Sequence, residues 1–282
     1  MKIETICICG AGTMGSGIAE LFAVHNFPVI LFDSSISALQ AAGKSIEKNL
    51  QELAEKGKIS YDDRHRTRQG IHFTNDLGEC KGAIVIEAII ENEQAKNDLF
   101  DQLSRLNGPE TILATNTSSL SVSKLGGKIF NPRRFVGMHF FNPAPKMKLV
   151  EVVKGDHTAD DVIQTIASLA QQLGKVPVIC NDSPGFIVNR VARPYYLESL
   201  RLLEELSINV DTIDTLLEAT GFRLGPFKLM DLIGNDINYA VSSSIYQQLG
   251  GPERLKPSMI QKQKLDKGEL GRKSGKGYYK YN

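Results

Sequence analysis

The sequence predicts an α/β domain built on a doubly wound sheet, followed by an all-helical domain. Three observations predict it. Short apolar runs alternate with helical patterns over the first two thirds of the 282 residues, the order expected of a sheet with helices on both faces. Several runs are apolar almost throughout, as strands buried on both sides are, which points to a parallel sheet. Strand signals stop after Cys180, and only helical periodicity follows.

Taken in order, residues 5–9, 29–32, 83–86, 112–115, 135–139, 149–153 and 176–180 read as strands, because each is a short, nearly continuous apolar run. Residues 14–24, 36–56, 93–106 and 160–173 lie between them and carry the helical period. Asp182-Ser183-Pro184-Gly185 is turn chemistry. It sets the expected boundary, with a sheet domain over 1–184 and a helical domain over 185–282. Within the second, residues 189–205, 210–220 and 229–249 read as helices.

Composition removes several function classes. The formal net charge is +1, which gives no electrostatic case for a nucleic-acid partner. The longest apolar run, residues 83–90, is far too short to span a membrane and contains Glu87. The start of the chain does not read as a signal peptide. Sparse cysteine points to a reducing compartment, and a cytoplasmic location is expected. Cys7 and Cys9 would share one face of a strand. Two thiols with no partner pair make a poor metal site, so both read as small buried hydrophobes. No His-x-x-x-His or comparable pattern occurs, and no metal is expected.

Gly10-Ala11-Gly12-Thr13-Met14-Gly15 is a G-x-G-x-x-G. The pattern is weak alone, but it directly follows a strand and opens a helix. An acid, Asp33, ends the second strand. Gly10 permits the tight turn, Gly12 leaves room for a pyrophosphate, and Gly15 lets helix and strand approach. The phosphates would sit at the helix N-terminus, where the dipole favours negative charge. Asp33 would accept from the ribose hydroxyls and repel a 2′-phosphate, favouring NAD over NADP. The fold is therefore expected to be Rossmann-type, although FAD satisfies the same fingerprint. The glycines of residues 271–277 have the wrong spacing for a P-loop.

Four polar segments stand where such a sheet puts its chemistry, beyond the carboxyl ends of strands. They are Asn116-Thr117-Ser118-Ser119, His139 before Phe140-Phe141-Asn142-Pro143, Glu151 inside an apolar run, and Asn189. On propensity alone the first is a loop or cap, His139 is a core histidine and Asn189 starts a helix. Glu151 is harder to dismiss, because a buried carboxylate is costly unless paired. A histidine is its natural partner.

With these residues in view, the chain resembles the 3-hydroxyacyl-CoA dehydrogenase family, in its short bacterial 3-hydroxybutyryl-CoA form, over residues 6–281. The resemblance rests on Gly-Ala-Gly-Thr-Met-Gly-Ser-Gly-Ile-Ala at 10–19, Ile86-Glu87-Ala88, Asn-Thr-Ser-Ser-Leu at 116–120 and Gly-Met-His-Phe-Phe-Asn-Pro-Ala-Pro at 137–145. It continues through Met-Lys-Leu-Val-Glu-Val at 147–152, Pro-Gly-Phe-Ile-Val-Asn-Arg at 184–190, Gly225-Pro226-Phe227 and Gly-Arg-Lys-Ser-Gly at 271–275. It implies an NAD-dependent oxidoreductase acting on short 3-hydroxyacyl-CoA, in fatty-acid β-oxidation or butanoate metabolism. His139 would be the catalytic base and Glu151 its partner, with Ser118 and Asn189 holding the reacting oxygen and the thioester region. Asp33, Glu91, Lys96, Ser118, Asn142 and Lys273 would contact NAD, together with the loop from Gly10 to Gly15. Asn49, Lys56 and Ser118 would contact CoA. The family commonly has Ser where Asn49 stands, and Gly-Leu-Asp where this chain has Gly234-Asn235-Asp236. The helical domain would form a homodimer and close the substrate site. Dehydrogenases of the 3-hydroxyisobutyrate or 6-phosphogluconate type share the glycine loop but use a lysine and lack the 137–143 segment. A non-catalytic relative would be expected to have lost one of Ser118, His139, Glu151 and Asn189.

Overall fold

A computed structural model describes residues 5–206 and 208–281. The chain divides into two compact units, Met1–Ser183 and Pro184–Asn282. In order, the first unit contains β1 (Ile6–Cys9), α1 (Thr13–Val24), β2 (Val29–Phe32), α2 (Ile36–Glu55), α3 (Tyr61–Gln69), β3 (Ile71–Thr74) and β4 (Ile84–Glu87). It continues with α4 (Glu93–Leu106), β5 (Ile112–Thr115), α5 (Val122–Gly126), β6 (Phe135–Phe140), β7 (Leu149–Lys154), α6 (Asp160–Gln172) and β8 (Val176–Asn181).

These strands form one eight-stranded sheet in the order β3-β2-β1-β4-β5-β6-β7-β8. The chain reaches β3 on one side of β1 and resumes at β4 on the other. The topological switch, where such folds bind ligands, therefore lies at the carboxyl ends of β1 and β4. Ile6, Ile8, Leu31 and Ile86 bury in one cluster with Ile18, Phe22, Ile46 and Leu50 of the covering helices. Each fully buried aliphatic side chain contributes about 1.5–3 kcal/mol.

The expectation of a parallel sheet needs one correction. Every pairing is parallel except β6 with β7. Residues 141–148 connect those two strands. A parallel return needs a crossover of roughly a dozen residues or more, so this connection can only reverse the chain. α3, β3 and α5 have no counterpart among the expected elements. α3 is almost wholly polar and buries only Thr67, and its start is fixed by a Ser60–Asp63 capping box.

The second unit contains α7 (Val188–Leu206), α8 (Val210–Ala219), α9 (Pro226–Ile233), α10 (Asn235–Gln248) and α11 (Met259–Asp266). The single helix expected over 229–249 is broken at Gly234, whose φ of 105° no helix accommodates. α11 was not among the expected helices. Leu197, Leu200, Phe227, Met230 and Ile245 form the core of this unit. Buried Asp231 accepts from the backbone N–H groups of Tyr278 and Tyr279 and from the Tyr281 hydroxyl. That ties the tail to α9. No helix among the described residues is long and apolar enough to cross a membrane.

Candidate active site

The glycine loop has the cradle that a dinucleotide requires. Gly10 lies at φ +110°, and a Cβ there would stand 2.5 Å from the Ala88 carbonyl oxygen. At Gly15 a Cβ would stand 1.7 Å from the Gly10 carbonyl oxygen, whereas at Gly12 it would meet nothing within 4 Å. The first and third glycines thus close the turn, and the second opens onto space. Gly12 caps α1 without a side-chain bond, and the first turn carries no acid. The N-terminal charge of the helix is left for an anion. Asp33 accepts from Ala11 N–H at 2.8 Å and from Ser35 N–H at 2.9 Å. Its carboxylate therefore stands at the loop, where a ribose would lie. The residues present fit NAD.

Beside the loop opens a cavity of about 1150 Å³, walled in part by Gly12, Glu20, Asn49, Lys56, Asn142 and Lys146. Asn49 donates to Glu20 Oε2 at 2.7 Å. Burial pushes the Glu20 carboxyl up, against the Asn49 hydrogen bond and nearby Lys146. The wall at 144–147 is held by Lys175, whose ammonium donates to the carbonyls of Ala144, Pro145 and Met147 at 2.7, 3.2 and 2.8 Å. Burial lowers the pKa of that ammonium. Sequence reasoning missed Lys175, and nothing in its local pattern marks it.

A second missed residue is Glu87, at the end of β4. It is fully buried and accepts from Lys96 Nζ at 2.6 Å, Thr115 Oγ1 at 2.7 Å and Ile89 N–H at 2.8 Å. Burial raises its pKa, partly offset by Lys96 and these donors. Lys96, also buried, reaches Glu91 at 3.0 Å. Glu91 in turn accepts from Thr117 Oγ1 at 2.6 Å and from the backbone N–H groups of Ser118 and Ser119 at 2.9 and 3.0 Å. Burial alone would raise Glu91, but Lys96, Thr117 and the Ser118 N–H overcome it and hold the carboxyl low. An ionised Glu91 therefore shapes the turn carrying Ser118. The ammonium of Lys96 lies between two carboxylates. The motif Ile86-Glu87-Ala88 could have flagged Glu87, since an acid ending a buried strand needs a partner.

At the same end of the sheet, His139 of β6 is the register partner of Glu151 of β7. His139 Nδ1 lies 2.7 Å from Glu151 Oε2, and the two residues are only 5% and 1% exposed. The Phe141 ring packs 4.5 Å from the imidazole, centre to centre. Asn116 Oδ1 accepts from Phe140 N–H at 2.9 Å, which fastens the Ser118 turn to the end of β6. Ser118, Glu91, His139 and Glu151 thus gather at one end of neighbouring strands. Asn189 and Lys273 belong to the helical unit. The Asn189 carbonyl accepts from Arg193 Nε at 2.9 Å, and Lys273 pairs with Asp236 at 2.6 Å. Cys7 and Cys9 are both fully buried, as expected, and a third thiol, Cys80, lies within 4.8 Å of them.

Residues 5–183 match the family model described as 3-hydroxyacyl-CoA dehydrogenase, NAD binding domain, and residues 185–281 match that of the same family's C-terminal domain. The chain belongs to the 3-hydroxyacyl-CoA dehydrogenase family. Among 3-hydroxyacyl-CoA dehydrogenases it is 43% identical over 99% of its length to an Escherichia coli K12 protein named 3-hydroxyadipyl-CoA dehydrogenase. It spans only 59% of that relative's length. A Deinococcus radiodurans protein named probable 3-hydroxybutyryl-CoA dehydrogenase is 41% identical, with 97% of this chain and 99% of that one covered. A crystal structure of (S)-3-hydroxybutyryl-CoA dehydrogenase from Ralstonia eutropha superposes with a TM-score of 0.95 at 36% identity, covering 100% of both chains.

Proposed function

We propose that this chain interconverts short 3-hydroxyacyl-CoA and 3-ketoacyl-CoA thioesters, such as 3-hydroxybutyryl-CoA, with His139 as general base and acid. One observation carries the reading: a buried imidazole and carboxylate 2.7 Å apart, at the sheet end that also holds the NAD-binding loop. The glycine loop and Asp33 would hold NAD, which would supply the acceptor for the C3 hydride. The chain's own groups handle the proton. Glu151 at Nδ1 fixes the tautomer, so the hydroxyl proton is taken at Nε2, and the carboxylate stabilises the imidazolium that forms. In the reverse direction the same nitrogen returns the proton. Ser118 positions the reacting oxygen on a turn that Glu91 holds. Lys96 serves the cofactor site through Glu91, and Asp33 and Asn142 contact the dinucleotide. Asn49 and Lys56 face CoA in the 1150 Å³ cavity, where Lys56 and Lys146 suit its phosphates. Asn189 and Lys273 are assigned by their place in the family motifs. The helical unit is assigned to a homodimer, an assignment supported by its exposed apolar side chains Val191, Leu216, Phe222 and Met259.

The test is NADH formation from (S)-3-hydroxybutyryl-CoA by the wild type and by His139→Gln. The variant should lose on the order of 10²–10⁴ in kcat while NAD affinity holds. No NADH from the wild type, or an undiminished rate from the variant, overturns the proposal.

A further inference from the structure

Three of the chain's four cysteines meet at one point, on and beside the strand that leads into the glycine loop. Cys7 and Cys9 project from the same face of β1. Cys80 follows the short 3-10 turn Leu77–Glu79. The sulfur atoms all lie within 4.8 Å of one another, and those of Cys7 and Cys9 are 4.0 Å apart. All three thiols are free and fully buried. We propose that they form a three-coordinate site for a soft monovalent cation, copper(I).

The donor set selects the metal. Thiolates favour soft ions such as copper(I), zinc and the iron of clusters. A closed zinc site takes four ligands, and the described residues bring only three metal-binding side chains together here. A planar three-coordinate ion with metal–sulfur bonds of roughly 2.3 Å needs its sulfurs about 4.0 Å apart. Cys7 and Cys9 already have that spacing on a rigid strand. Cys80, itself fully buried, follows a short turn whose own three residues are not buried, and its sulfur lies within 4.8 Å of the other two. Each thiol that ligates gives its proton to solvent, and no electron is transferred. Cys9 directly precedes Gly10 and is the register partner of Glu87. A bound ion would therefore tie the strand beneath the cofactor loop to a surface turn.

The reduced full chain is titrated anaerobically against copper(I) held by a chromophoric bicinchoninate chelator. The wild type should withhold one equivalent per chain, Cys80→Ser should lose that capacity, and Cys180→Ser, outside the cluster, should keep it. X-ray absorption of the loaded wild type should show three sulfur neighbours at roughly 2.3 Å, and this decides the matter even if Cys80→Ser does not fold. Withholding that survives Cys80→Ser, a wild type that withholds none, fewer than three sulfur neighbours, or a preference for zinc(II) over copper(I) overturns the proposal and leaves the thiols as core packing.

Discussion

Replacing Glu151 by Gln keeps the size of the side chain and its ability to accept from His139 Nδ1, and removes the charge. The structure sets the cost. The pair is 2.7 Å apart and nearly free of solvent, so salt and water screen it little. Two unit charges centred about 4 Å apart attract by about 4 kcal/mol at an effective dielectric of 20. A proton half transferred in the transition state realises about half of that, roughly 2 kcal/mol, or about 30-fold in kcat. The assay is steady-state NADH formation, with the thermal unfolding midpoint as a control on folding. Because the overall equilibrium is unchanged, 3-ketoacyl-CoA reduction should slow by the same factor when the KM values hold. A folded variant whose kcat stays within about twofold of wild type in both directions would refute the reasoning. So would a loss confined to KM, since the carboxylate is argued to matter only as the imidazolium forms.

Asp33→Ala removes the acceptor for two backbone N–H groups along with the charge proposed to oppose a 2′-phosphate. The ratio of kcat/KM with NAD to that with NADP should fall, and an unchanged ratio removes Asp33 from the ribose. Glu269 tests the helical unit. Its contacts with Lys264 and then Lys276 hold its carboxyl at about 2, below the ordinary 4.5. A depressed folded value stabilises the protein above pH 4.5 and is lost as pH falls toward 2. Glu269→Gln should therefore unfold at a lower temperature than wild type at pH 7, with the gap closing between pH 4.5 and 2. A gap that does not depend on pH would count against the pairing.

The strands of the first unit other than β3 were legible because their apolar runs are continuous, whereas His72 and Thr74 interrupt β3, and the glycine loop was legible because Asp33 and the preceding strand supplied context. Strand direction was not legible. Hydrophobic periodicity is the same for either direction, and only the short 141–148 connection carries the reversal of β7. Polar elements were equally opaque: α3 turns almost no apolar residue inward, so its period could not show. Gly234 broke a pattern that reads as one helix, because a single positive φ outweighs flanking propensity. The candidate site was legible where its residues sit in local motifs. It was illegible where long-range contacts do the positioning, as with Lys175 on the 144–147 carbonyls and Cys80 beside Cys7 and Cys9.

The reversal of β7 explains why an acid and an imidazole can meet at this sheet end at all. In an antiparallel pair, directly opposed residues place their side chains on one face with Cβ atoms about 4.5–5.5 Å apart. The His139–Glu151 register uses that opposition. β7 runs back from the carboxyl end of β6, so its early residues, Glu151 among them, lie at the same sheet end as Ser118 and the glycine loop. A parallel β7 would begin at the opposite end, and its early residues would lie away from the cofactor loop. The connection that makes the turn is the one Lys175 fastens by three carbonyls, and it also walls the cavity beside Gly12. One short loop thus sets the strand direction that pairs the two buried groups and shapes the space assigned to the CoA moiety. Loosening it should disturb substrate affinity and the His139–Glu151 geometry together.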